Sequence, residues 1–261
     1  LSESPKIELK YVELIINKFV KSSKQTEDIV IDEDPTMIEY IFSLHIKLLC
    51  ELNKTEKILP SLKRCSFYPI KTCLEFCIYY KVNDACIYLY QLQGDVDKAL
   101  SVCINVINAI YAELVTNLQA NPFNENTHYL QKIELTKCIS LAIEVCEHNE
   151  KALVENNDLW FVLLKNLYYF EDYNSQLLTA LDGTDRKKYV LDIKELNSNN
   201  IKNLIETMSY YVGLLKIINI VCEKNKNVEF REFKPLLLKM LQSFGTQANL
   251  LKCIRNLITN T

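Results

Sequence analysis

The sequence predicts an all-α protein, an α-solenoid of stacked antiparallel helix pairs. Three observations carry that reading. Four glycines and six prolines in 261 residues are too few for the many tight turns of an all-β fold. Apolar residues recur every three to four positions over long stretches, the period of one helix face. Pairs of helical segments follow one another about 30 to 40 residues apart with short polar turns, the interval of a stacked repeat whose single pair cannot bury its own apolar face. The repeats are degenerate, and an irregular helical bundle fits the same spacing. Residues 1–261 read as one such segment, with a sub-boundary near 120–127.

Leu9, Val12, Ile15, Ile16 and Phe19 form the first amphipathic face, which gives way to the polar, acidic stretch from Lys21 to Asp34. Asp34-Pro35 is a start signal, an Asp cap followed by Pro at the first helical position, and Ile38, Ile41, Phe42, His45, Leu48 and Leu49 follow at helical spacing. Asn53-Lys54-Thr55 separates this helix from a shorter one holding Ile58, Leu59 and Leu62. Pro69 opens a helix carrying Leu74, Cys77 and Ile78, and Asn83 or Asp84 caps the next, with Ala85, Tyr88, Leu89 and Leu92. Gly94 suits the left-handed position after a helix and Asp95 an N-cap, so the chain turns straight into Val96, Ala99, Leu100 and Cys103. That helix runs to about Leu118. The clearest mid-chain loop is Asn121-Pro122-Phe123-Asn124-Glu125-Asn126, before faces built on Leu130, Ile133, Cys138, Leu141 and Val145, then on Trp160, Leu163, Leu164 and Leu167. Breaks at Asp182-Gly183-Thr184 and Asn197-Ser198-Asn199-Asn200 precede three final helices, and Gly245-Thr246 repeats the stop-and-cap device.

The apolar fraction of 49% is that of a globular chain able to bury a core. A formal net charge of −3 argues against nucleic acid as a partner, since such proteins carry a basic stripe. The short clusters Arg186-Lys187-Lys188 and Lys224 with Lys226 read as solvated helix ends rather than phosphate sites. Lys165 and Lys216 interrupt the longest apolar runs, so no run approaches the roughly 20 residues that cross a bilayer, and membrane association is expected only through partners. The first residue is Leu, which reads as an excerpt of a longer protein. The ten cysteines have aliphatic neighbours, and buried reduced thiols of a cytosolic protein fit better than a disulfide scaffold.

Residues for chemistry are sparse. Gly94, Gly183, Gly213 and Gly245 lie too far apart for a phosphate-cradling loop or a dinucleotide fingerprint, and no Gly-x-Ser-x-Gly elbow occurs. Of the three histidines, His45 falls on an apolar face as a core or interface group. Cys138, Cys146 and His148, or Cys73 with Cys77, sit singly on continuous helices, which does not converge four zinc ligands. Neither a catalytic residue nor a cofactor or metal is expected. Tyr79, Tyr80, Tyr88, Tyr90, Tyr168, Tyr169, Phe170 and Tyr173 either line a groove for a partner helix or, more simply, fill gaps between helices, with Tyr80 and Tyr90 best placed to reach the surface. The acidic run Glu27 to Asp34 reads equally as a recognition segment or a solvated loop.

Ala85, Tyr88, Leu89, Gly94, Asp95, Ala99 and Leu100 resemble the helical repeat shared by clathrin heavy chain and vacuolar protein sorting tethering subunits, an Ala, an aromatic-Leu run, a Gly-Asp turn and an Ala-Leu. Met208 to Ile218 and Glu229 to Leu241 are similar to the late solenoid of the vacuolar protein sorting-associated protein 8 family, endosomal tethering subunits of the CORVET complex. The resemblance implies a non-enzymatic scaffold in endosomal and vacuolar protein transport, cytoplasmic and peripheral on endosomal membranes. It implies other class C tethering-complex subunits as partners, with an early-endosomal Rab GTPase bound through other parts of the parent protein. Full-length members of that family carry a zinc-binding RING-type module further toward the C-terminus, and no such cysteine pattern occurs before Thr261. The last helices, around Phe230, Phe233 and Leu238, are the favoured partner surface. A clathrin-like coat leg shares the Gly94-Asp95 turn, and a helical regulatory domain of a larger enzyme fits the composition.

Overall fold

A computed structural model describes residues 4–25, 35–120, 122–148, 158–181 and 185–212. Among them every regular element is helical. The expected signals at Asp34, 182–184, 222–226, 230, 233, 238, 245–246 and 253, and the acidic run 27–34, lie outside the described residues.

The chain divides after Leu159 into two compact units. In the first, α1 (Ser4–Gln25), α2 (Pro35–Glu51), a single 3-10 turn (Thr55–Lys57), α3 (Ile58–Arg64), α4 (Ile70–Tyr79), α5 (Asn83–Gln93), α6 (Val96–Gln119) and α7 (Glu125–His148) follow in order. α1 packs on α2, α2 on α3 and α4, α3 and α4 on α5, α5 on α6, and α6 on α7. Mostly neighbouring pairings of this kind follow from short connections, which leave a helix little choice but to fold back on its predecessor. α8 (Asp158–Ala180) enters the second unit at Trp160 and is followed there by α9 (Lys187–Val212). Residues 120–127 lie within the first unit, between α6 and α7.

The buried faces of α1 to α5 meet in one core. Leu9, Val12 and Ile16 come from α1, Phe42, Ile46 and Leu49 from α2, Ile58 and Leu62 from α3, Cys73 and Cys77 from α4, and Ala85 and Leu89 from α5. Phe42 stands edge-on to Tyr68 at 4.8 Å and to Phe19 at 5.8 Å between ring centroids, the geometry that places ring edges against ring faces.

α6 and α7 form an antiparallel hairpin. Each has 24 residues, about 36 Å of helix, and the Asn117 side-chain amide donates to the Asn124 carbonyl at 3.0 Å across the connection. Asn124 then caps α7, accepting from the Thr127 N–H through Oδ1 at 3.0 Å. This N-cap was not among the expected start signals, because Pro122 and Phe123 beside it read only as loop.

Several expectations are corrected. α6, interrupted only by Asp97, Lys98 and Glu113, is long and apolar enough by composition to cross a membrane, which a count of unbroken runs misses. Its Ala99, Leu100, Cys103, Ile107, Ile110, Leu114 and Leu118 are buried, as expected of a core helix. Residues 197–200 do not break the chain but lie within α9. Val190, Ile193, Asn197, Ile201, Leu204 and Met208 are all buried on that helix, at spacings of three and four. Asn197 lies on the buried face and donates to the Leu167 carbonyl at 2.9 Å. Burying that stripe outweighs the few tenths of a kcal/mol that each Asn costs a helix. Pro69 is the residue before α4 and not its first member. Val82, not Asn83 or Asp84, occupies the N-cap of α5, while Asp84 Oδ1 accepts from the Ala85 N–H at 2.8 Å. Ile15, Ile78, Leu92, Leu130 and Ile133, expected to face inward, are exposed: Ile15, Ile78 and Leu92 lie at the flank of the buried stripe of their helix, whereas Leu130 and Ile133 lie across α7 from Leu135, Ile139 and Cys146.

Candidate functional site

The seven residues singled out as a repeat turn come together where α5 passes into α6. Gly94 adopts the left-handed conformation at φ 75°, where a side chain with a β-carbon costs about 1 to 2 kcal/mol. Its N–H donates to the Gln91 carbonyl and the Asp95 N–H to the Tyr90 carbonyl, both at 3.0 Å. Those two bonds are the Schellman closure of a helix end. Asp95 is at once the last residue of that closure and the N-cap of α6, with Oδ1 accepting from the Lys98 N–H at 3.4 Å. Lys98 Nζ donates to Asp95 Oδ2 at 2.6 Å and lies 5.8 Å from the Tyr90 ring centre. The hydrogen bond and charge of Lys98 hold the Asp95 carboxyl below its ordinary range.

On either side the turn is anchored by buried residues. Ala85 and Leu89 belong to the core of α1 to α5, and Ala99 and Leu100 are buried on α6. Tyr88 is partly buried against that core, with Lys63 Nζ 5.6 Å from its ring centre.

The same closure occurs twice more upstream. After α2, Asn53 is left-handed at φ 55°, with Asn53 N–H on the Cys50 carbonyl at 3.0 Å and Lys54 N–H on the Leu49 carbonyl at 2.9 Å. After α4, Lys81 is left-handed at φ 57°, with Lys81 N–H on the Ile78 carbonyl at 3.2 Å and Val82 N–H on the Cys77 carbonyl at 2.8 Å. Val82 and Cys77 are both buried in the core, the apolar contact that accompanies such closures. The Gly94 and Asn53 copies show in the sequence, since Gly and Asn favour this backbone, whereas the Lys81 copy does not, since Lys carries no preference for it. Three helix ends thus share one hydrogen-bond pattern, and each reverses the chain within a few residues.

His45 and most of the described cysteines are shielded. His45 is buried, with Nδ1 2.8 Å from the Tyr68 hydroxyl, and burial lowers its pKa to about 4, against a smaller opposing effect of Glu13. His45 is therefore a satisfied core group. The eight described cysteines are free thiols. Burial pushes Cys50 and Cys86 up to about 11 and Cys73, Cys103 and Cys146 up to about 12, so they stay protonated and unreactive at neutral pH. Among the described residues no group of three His, Cys, Asp or Glu is placed to hold a metal ion.

Of the aromatics weighed as a groove, Phe170 is buried and Tyr88 and Tyr90 pack on the core as gap fillers. Tyr79 and Tyr169 point outward instead. The surface that the sequence reading passed over is the outer side of α1, where Ile7, Tyr11, Leu14 and Ile15 are exposed. Its signal was present in the spacing of those residues.

The described residues define an all-α protein in which the seven repeat-turn residues form a structural elbow between α5 and α6. Comparison with protein families, with curated proteins and with solved structures returned no match.

Proposed function

We propose that the chain is an α-solenoid segment of an endosomal membrane-tethering subunit and works as a scaffold without catalysis. The α5–α6 elbow is the observation that carries this reading. The Ala, aromatic-Leu, Gly-Asp and Ala-Leu elements of the repeat occupy, in order, the buried face of one helix, its left-handed end, the next helix's cap and that helix's buried face. The neighbour-to-neighbour packing of α4 to α7 supports it, since each repeat of a solenoid touches only the next.

In this reading the segment is rod. It spaces the membrane-proximal end of its parent from the end that joins the class C subunits, and an early-endosomal Rab GTPase engages another part of the parent. Work of this kind is mechanical: a stack of helices transmits position and offers extended surfaces. The protein sits in the cytoplasm, peripheral on endosomes, through its partners.

The test is affinity purification of the tagged full-length protein from its own cells under gentle salt, followed by mass spectrometry. Class C subunits with an endosomal Rab are the expected result. Recovery of clathrin light chains and adaptors would make it a coat leg, and an attached catalytic domain would make it a regulatory module of an enzyme.

A further inference from the structure

We draw no further inference here: the strongest candidate, the exposed apolar face of α1 formed by Ile7, Tyr11, Leu14 and Ile15, carries nothing, because nothing in the structure shows what covers it.

Discussion

His45 Nδ1 and the Tyr68 hydroxyl lie 2.8 Å apart inside the core, joining α2 to the segment that leads into α4 across 23 residues of sequence. Both side chains are buried, so each is the polar partner that makes burial of the other tolerable. The same burial holds His45 neutral, with its pKa lowered from 6.5 to about 4.

That shift makes stability depend on pH. The folded chain binds fewer protons at His45 than the unfolded chain between about pH 6.5 and 4, so the contribution is complete above that window and is lost as pH falls through it. At 1.36 kcal/mol per unit its ceiling is about 3 kcal/mol. Urea unfolding of the wild type and of His45→Gln across that range should show a shallower slope for the variant. Identical slopes would mean that His45 takes up its proton without unfolding.

The elbow can be weighed directly. A β-carbon at Gly94 meets no atom within 4 Å, so the cost of Gly94→Val is backbone conformation and not a clash. Together with loss of the Asp95 cap, Gly94→Val with Asp95→Ala should lower stability by roughly 2 to 3 kcal/mol. Differential scanning calorimetry reads this as a drop in melting temperature, and an unchanged value would show that the turn contributes nothing.

Lys81 holds the same left-handed backbone without glycine's freedom, at φ 57°. Lys81→Gly should therefore stabilise the chain by about 0.5 to 1 kcal/mol, the relief of strain less the added entropy of the unfolded state. A loss of stability instead would show that the Lys81 side chain makes a contribution larger than its strain.

Asn197→Ala should cost about 1 to 2 kcal/mol, because it deletes the donor to the Leu167 carbonyl and leaves space on a buried face. Native-state hydrogen exchange across 197–200 should meanwhile remain slow in the wild type. Fast exchange there would restore the interruption that four polar residues suggest.

Of the eight described thiols, Cys65 and Cys138 are partly exposed and the other six buried. Brief treatment with a water-soluble alkylating reagent and peptide mapping should find Cys65 and Cys138 modified ahead of the rest. Early modification of Cys73 or Cys77 would mean that the core opens readily.

The sequence by itself determined what depends on a few neighbouring residues. Scarce glycine and proline with a three-to-four period required helices, and Gly94-Asp95 specified a left-handed end followed by a cap, because both preferences are properties of the local backbone. Tertiary structure decided everything that turns on which neighbour arrives. Ile15, Ile78, Leu92, Leu130 and Ile133 are apolar, yet they are exposed, since a residue off the buried stripe of its helix is buried only if another helix covers it. Asn197 through Asn200 read as a break until the buried stripe on either side kept α9 whole. Lys81 took a conformation that no lysine prefers, because packing of α4 on α5 over so short a connection left no other. Helix caps are local chemistry, whereas burial is a property of the assembled chain, and the outer face of α1 belongs to the second kind.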